Sequence, residues 1–274
     1  MNIETYEKIK KEIENYQYTS MLYTDYEEAA DCEIISWNEE LILLYGFDSE
    51  KKVMEYHWAA NQVDVLVQEL EKKREKAIIT FVPVEWVEEL ERIEYHINAV
   101  WNDYFNPTLE GILEPEEPFQ FLSIEECREA SDVTLACRRM SRGFEGESEE
   151  WMKKWITGTE AHQIMQENKD AAVLIHKEDN KIVGIVCVST YAHDSEKGPI
   201  LWVREIAVHP KYQRQGIAHK LLLQALYYGK VHGANRAFLS ADECNEHAIH
   251  LYNKVGFQAR KEEAQRDMVF DAKI

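Results

Sequence analysis

The sequence predicts a mixed α/β protein, and three patterns among its 274 residues predict it. Two apolar runs, AAVLIH (171–176) and KIVGIVCVSTYA (181–192), flank the turn KEDN, as the arms of an antiparallel hairpin do. A strand ILWVREIAVHP (200–210), a helix within 212–229, a strand RAFLSA (236–241) and a helix NEHAIHLYNKVG (245–256) follow in alternation. Earlier in the chain the β-branched run AIITFV (77–82) leads to Pro83, which opens the helix PVEWVEELERI at a first-turn position. A hairpin followed by βαβα gives a mixed sheet with helices on both faces.

The remaining elements follow in order. The N-terminal part reads as a helix (Tyr6–Tyr16), short strands (Thr19–Tyr23, Glu33–Trp37, Leu41–Tyr45) and a helix (Asn61–Lys73) before AIITFV. The stretch NPTLEGILEPEEPF (106–119) gathers three prolines, one glycine and four glutamates and reads as a linker. An N-terminal α/β domain over 1–115 and a second domain over 118–274 are therefore expected. FQFLSI (119–124) reads as a strand, IEECREASDVTLACRRMS (124–141) as a helix and SRGFEGESEE (141–150) as a charged loop. In the next helix, EWMKKWITGTEAHQIM (150–165), Trp151, Trp155 and Ile156 share a face suited to core packing. FQARK (257–261), with MVF (268–270) behind it, closes the pattern.

Composition removes several classes of function. With 45% hydrophobic and 30% charged residues, the chain has the make-up of a globular protein able to bury a core. No apolar run nears the roughly 18 residues of a membrane helix. The charged start, MNIETYEKIKKEIENY, lacks an export signal's apolar core, so a cytoplasmic protein is expected. Cys32, Cys127, Cys137, Cys187 and Cys244 are scattered without a CxxC pair, which favours reduced thiols over disulfides or zinc. No metal motif occurs, so no metal is expected. The formal charge is -20, and residues 1–115 hold 26 acids against 10 bases. Such a field opposes polyphosphate, so nucleic acid is not an expected partner. It favours cations, although solubility is the plainer use. The N-terminal half has no glycine-rich phosphate loop and no nucleophile motif.

The segment YQRQGIAHKLLLQALYYG (212–229) sets Arg214 and Gly216 at the start of a helix. A helix's first amides lack partners and carry the positive end of its dipole. Gly216 allows close backbone approach, small Ala218 keeps the first turn open, and Arg214 adds charge, with Lys211 and Lys220 near. The turn suits an anion such as pyrophosphate; an ordinary helix start is the alternative. With its flanks, VREIAVHPKYQRQGIAHKLL resembles the acetyl-CoA-binding core of the GCN5-related N-acetyltransferase (GNAT) superfamily. The family signature Q/R-x-x-G-x-G/A is matched by Gln213-Arg214-Gln215-Gly216-Ile217-Ala218, after a strand ending Ile206-Ala207-Val208-His209-Pro210. NEHAIHLYNKVGF resembles the family's N-x-x-A-x-x-L-Y-x-K-x-G-F through Asn245, Ala248, Leu251, Tyr252, Lys254, Gly256 and Phe257. The resemblance covers about residues 118–274.

The resemblance implies a GNAT fold whose fourth and fifth strands splay apart, and a smaller N-terminal α/β domain that is compatible with a degenerate copy. It implies acetyl-CoA as cosubstrate. The amides of 213–218 would hold its pyrophosphate, and backbone groups of Ile206, Ala207 and Val208 would pair with the pantetheine arm like an added strand. Asn245 would lie beside that arm or cap its own helix. The implied activity is N-acetyl transfer to a primary amine, a small molecule being favoured. A protein lysine or N-terminal acceptor, or a CoA-binding sensor without turnover, are the alternatives. The N-terminal domain is expected to shape the acceptor cleft or a subunit contact, which admits a homodimer.

Transfer from a thioester to an amine needs a base, because an alkylamine of pKa ~10 is charged at neutral pH. It needs a backbone N–H for the carbonyl oxygen and an acid for the departing thiolate. By the resemblance Tyr252 is the acid; the alternative is a core aromatic. Glu205 is the first choice of base; the alternative is an ion pair. His193 and Asp242 are secondary candidates, a water chain could also serve, and His209 belongs to the strand exit. Cys244 has no His/Asp partner pattern and reads as a structural thiol.

Overall fold

The hairpin and the alternating run that follows it form the frame of the C-terminal part in the computed structural model, which describes residues 1–48, 52–160, 168–260 and 264–271. Packing divides the chain into two units, Met1–Trp101 with Ala264–Ile274, and Asn102–Glu263. The sequence places the division at the proline-rich stretch. The contacts place it earlier and return the last strand to the first unit. The proline-rich stretch is irregular, but it is anchored: Leu109 is buried, its N–H donates to the Asn235 carbonyl (2.8 Å), and Lys230 donates to the carbonyls of Glu110 and Ile112.

The first unit contains α1 (Ile3–Glu12), β1 (Tyr18–Thr19), α2 (Tyr26–Ala30), β2 (Glu33–Trp37), β3 (Leu41–Asp48), β4 (Val53–Ala60), α3 (Val63–Leu70), β5 (Ala77–Ile79), α4 (Val87–Arg92), the first residues of β6 (His96–Asn106), and β12 (Gln265–Phe270). β4 and β6 have no counterpart in the sequence-based reading. VMEYHWAA carries Glu55 and Tyr56 buried side by side, so it lacks the alternation that marks a strand. β3 and β4 are antiparallel, and β5 returns parallel to β4 from Met54↔Ala77 to Tyr56↔Ile79. β12 completes this sheet antiparallel to β5, with Met268 fully buried.

The second unit contains the end of β6, α5 (Cys127–Ala136), α6 (Glu149–Ile156), β7 (Lys169–Glu178), β8 (Lys181–Tyr191), β9 (Ile200–Val208), α7 (Ile217–Val231), β10 (Arg236–Asp242), α8 (Glu246–Lys254) and β11 (Gln258–Ala259). FQFLSI forms only a bridge, Phe121↔Leu174, rather than a strand. The expected helix 150–165 is described through Ile156; residues 161–165 lie outside the described residues. The KEDN turn is tight because Asp179 and Asn180 both take left-handed φ (49° and 62°), which these two residue types tolerate.

Strand order in this unit is β6-β10-β9-β8-β7, with β7, β8 and β9 antiparallel and β10 parallel to β9. One face is covered by α5 and α6 through Cys127, Val133, Trp151 and Trp155; the other by α7 and α8 through Leu221, Leu222, Leu226 and Tyr252. The whole is an α/β fold with helices on both faces, as the sequence predicts. In the first unit the same succession occurs: an antiparallel pair, a helix, then a parallel strand (β3, β4, α3, β5), which is the order of β8, β9, α7 and β10.

Candidate active site

The parallel ladder between β9 and β10 runs only from Arg236↔Ile200 to Phe238↔Trp202. Beyond it, among the described residues, Val203–Val208 and Leu239–Asp242 make no ladder with each other, so β9 presents an open edge of backbone groups. A bulge lies at the opening. Across β8, Cys187 faces Glu205 and Val188 faces Val203, which leaves Arg204 as the extra residue. Bulges bend a strand and re-aim its side chains.

At the far end of β9 a one-turn 3-10 helix, Pro210–Tyr212, leads into the turn before α7. Arg214 (φ 64°) and Gly216 (φ 85°) are both left-handed, and Gly216 is the N-cap without a side-chain cap. A Cβ added at Gly216 would meet nothing within 4 Å, so the space over the turn is open. Among the described residues no acceptor takes the N–H groups of Ile217, Ala218 or His219. Open, unpartnered amides at the positive end of a 15-residue helix suit an anion. Gln213 turns inward instead: its Nε2 donates to the Val208 carbonyl (2.9 Å), which also accepts from Cys137 Sγ (3.2 Å). That carbonyl is therefore engaged; the backbone of Ile206 faces the open edge, whereas Ala207, expected there too, is turned to Ile185 of β8. Arg214 Nη2 donates to His247 Nε2 (3.1 Å), and Lys220 pairs with Glu117 (2.6 Å).

Glu205 lies on the α5/α6 side of the opening. Its Oε1 accepts the Ile206 N–H (3.1 Å), and its Oε2 is 3.7 Å from Arg204 Nη1. Arg204 Nη2 reaches Glu147 Oε1 at 3.3 Å. Burial pushes the Glu205 carboxyl up to about 8; Arg204 pulls it down, Glu147 pushes it up and the Ile206 N–H pulls it down. The ion-pair alternative for Glu205 thus has its partner in Arg204, its own neighbour in sequence. A carboxyl poised near neutrality inside an opening is suited to taking a proton.

Tyr252 approaches from the α7/α8 side. Its ring is buried against Tyr104 and Phe257 (centroids 6.3 and 6.2 Å), so the core role is real. Its hydroxyl makes no hydrogen bond to a described residue. Burial, then the charge of Glu205, then Tyr104 raise its phenol well above the ordinary value. It keeps its proton throughout the neutral range and can only donate.

The other candidates are placed less centrally. Asn245 Oδ1 accepts the Ala248 N–H (3.3 Å) and caps α8. Asp242 is buried and gripped by Arg142, so its charge is already answered. His193 binds Thr190 Oγ1 (2.9 Å) near the Tyr191↔Ile200 end of the ladder, remote along β9 from Glu205. His209 Nδ1 accepts the Lys211 N–H (3.3 Å) at the strand exit. Cys244 is exposed, whereas the other four cysteines are buried.

Arg142, Glu147 and Arg204 went unread in the sequence. Glu147 is one of four glutamates in a loop of ten residues, and nothing local singles it out. It is selected by Gly146, whose φ of 77° and close approach to Thr134 (2.9 Å from an added Cβ) admit no side chain. The Glu147 N–H then donates to Thr134 Oγ1 (2.9 Å), and its carbonyl accepts from Ser131 Oγ (2.7 Å). Beside the turn lies a cleft of about 340 Å³, lined by Arg139, Met140, Arg142, Asp242, Asn245 and His247 among others.

Comparison with known proteins places the fold of this chain among described ones. Residues 139–257 match the model of the Acetyltransferase (GNAT) family. An uncharacterized N-acetyltransferase of Methanocaldococcus jannaschii is 23% identical over 111 residues, 40% of this chain and 46% of the relative, so the match spans about half of that protein's length. A GNAT-family acetyltransferase structure from Colwellia psychrerythraea is similar over 100% of this chain and 98% of its own, at 12% identity and TM-score 0.52. A tandem GNAT protein from the clavulanic acid biosynthesis pathway is similar over 86% of this chain and 80% of its own, at 11% identity and TM-score 0.54. At such identities the two structures speak to the fold, which extends over both units. Residues 139–257, which carry the open edge of β9, the left-handed turn, Glu205 and Tyr252, are a GNAT acetyltransferase domain in the C-terminal part of the chain.

Proposed function

We propose that this protein transfers an acetyl group from acetyl-CoA directly to a primary amine, a small molecule being the favoured acceptor. The observation that carries the reading is the opening between β9 and β10, with unpartnered helix amides at its end and Glu205 and Tyr252 on its two sides. The fit to a pyrophosphate rests on the amides of Ile217, Ala218 and His219 and on the open space over Gly216. Acetyl-CoA supplies the activated thioester. The Ile206 carbonyl and the Val208 N–H face the open edge and pair with its extended arm, and Gln213 holds the strand exit in place.

Within the opening Glu205 accepts the ammonium proton, directly or through water. Tyr252, held protonated by burial, donates to the departing sulfur. Both partners are bound together and no chain residue is acylated; Cys244 has no His/Asp partner pattern of a nucleophile.

The second-unit domain does this chemistry, and the N-terminal unit lacks a cosubstrate site of its own. There β4 ends at Ala60 and α3 begins at Val63, and Gln62 caps the helix without a side-chain bond or a left-handed turn. Past the end of the β4/β5 ladder the fully buried Trp58 donates its indole N–H to the Thr80 carbonyl (3.0 Å) and packs on Trp86 (5.1 Å). Indole fills the place that β9 leaves open. A mass-spectrometric screen of amines with acetyl-CoA and the full chain tests the activity. Acetylated product from a primary amine is expected; CoA binding with no product from any amine would leave a binding module instead.

A further inference from the structure

We propose that Arg204 is a positioning residue for the base: suspended at the bulge of β9 between two carboxylates, it weakens the hold of Glu205 on its proton against the opposing charge of Glu147. This rests on the reading of Glu205 as base and goes beyond it by assigning what controls that base.

The geometry begins with the bulge. In an unbroken strand Arg204 and Glu205 would point to opposite faces. Because Arg204 is the extra residue between Val203 and Glu205, the alternation is broken and both side chains turn to one place. The guanidinium is held from several directions. Its Nη1 is 3.7 Å from Glu205 Oε2, its Nη2 is 3.3 Å from Glu147 Oε1, and its centre lies over the rings of Trp151 (5.5 Å) and Trp202 (6.0 Å). Aromatic faces attract a cation and restrict where it can sit. Glu147 is pinned in turn by its backbone to α5. One cation is thus shared by two carboxylates whose backbones are fixed.

Titratable groups from several elements act on this cluster among the described residues. Arg204 is on the same strand as Glu205, Glu147 comes from the loop before α6, Cys137 from the end of α5, Cys187 from β8 and Tyr252 from α8. Glu160 also acts on Arg204. Burial and the charge of Glu205 raise Cys137, Cys187 and Tyr252, so these remain neutral in the range where Glu205 titrates. Among the described residues the charges acting on Glu205 are those of Arg204 and Glu147, one of each sign. Removing either must move its titration, and in opposite directions.

The test is a side-chain carboxyl NMR titration of the full chain labelled at glutamate, with Glu205→Gln used to assign the resonance. In Arg204→Gln the Glu205 midpoint is expected to rise by about 1 pH unit or more, and in Glu147→Gln to fall by a similar amount. Arg204→Lys keeps the charge and should bring the midpoint most of the way back. A midpoint that stays put in Arg204→Gln, or shifts the same way in both variants, overturns the proposal. If Arg204→Gln does not fold, Glu147→Gln decides by itself, because a midpoint that fails to fall there is equally fatal. The reading of Glu205 as base is judged separately, by turnover of Glu205→Gln: full turnover in that variant removes the base and this proposal with it.

Discussion

Arg142 grips Asp242 with two nitrogens, Nη2 to Oδ1 at 2.8 Å and Nε to Oδ2 at 3.2 Å, and so ties the loop after α5 to the end of β10. The Asp242 side chain has no exposed surface, while Arg142 is about one third exposed. Removing the cation takes this counter-charge from a buried carboxylate, although the Cys244 N–H still donates to Oδ2 (3.2 Å). Arg142→Met should therefore cost about 3 kcal/mol, and adding Asp242→Asn should recover much of it. Urea unfolding of both variants checks this; equal stability of the single and double variants would show the pair uncoupled.

The turn at Gly216 predicts a graded response. Its φ of 85° means that Gly216→Ala strains the backbone by about 1 kcal/mol without filling the site. Gly216→Glu adds the same strain and sets a carboxylate where the anion should rest. By calorimetry, acetyl-CoA should bind Gly216→Glu at least about tenfold more weakly than Gly216→Ala, about 1.4 kcal/mol of binding free energy. Equal affinities would move the pyrophosphate elsewhere.

Tyr252→Phe keeps the ring that packs on Tyr104 and Phe257 and removes only the hydroxyl. Turnover should fall by about 10²–10⁴, the general-acid range, with acetyl-CoA affinity changed less than about twofold. Unchanged turnover, under conditions where chemistry limits the rate, would leave Tyr252 as a core residue alone.

Glu205 makes stability depend on pH in a stated direction. Its folded value of about 8 lies above the ordinary 4.5, so the folded chain binds this proton more tightly than the unfolded one. Its contribution is fully present below about 4.5 and is lost as pH rises through about 8. Glu205→Gln does not titrate. The melting temperature of Glu205→Gln relative to the unaltered chain should rise from pH 5 to pH 8 and then level off. A gap that stays constant or shrinks over that interval contradicts the shift.

Trp58 predicts the stoichiometry. With indole filling the β4/β5 opening and no left-handed turn before α3, the full chain should bind one acetyl-CoA in calorimetry. Gly216→Glu should remove that site and expose no second one. Two sites per chain would assign a cosubstrate site to the N-terminal unit.

Much of the second unit could be read from local sequence because local forces set it. The hairpin turn needs the tolerance of Asp179 and Asn180, and α7 needs a left-handed residue at Gly216. Apolar runs such as KIVGIVCV have one comfortable place, the middle of a sheet. These signals survive without knowledge of the partner strand. The same logic failed for β4 and β6, where His57, Asn98, Asn102 and Asp103 interrupt the apolar pattern and packing across the sheet decides the matter.

What only the tertiary structure decided is which side chains meet. Nothing near residue 147 foretells an approach to Arg204, and nothing near residue 142 points to position 242. The placement of β12 beside β5, far from it in the chain, is equally invisible locally. The sequence determined the glycine turn before α7, the strand leading to it and the place of Tyr252 on its helix, because each depends on residue type at fixed local spacing. The charge state of Glu205 depends on burial and on two charges brought by different segments, so it exists only once the chain has folded.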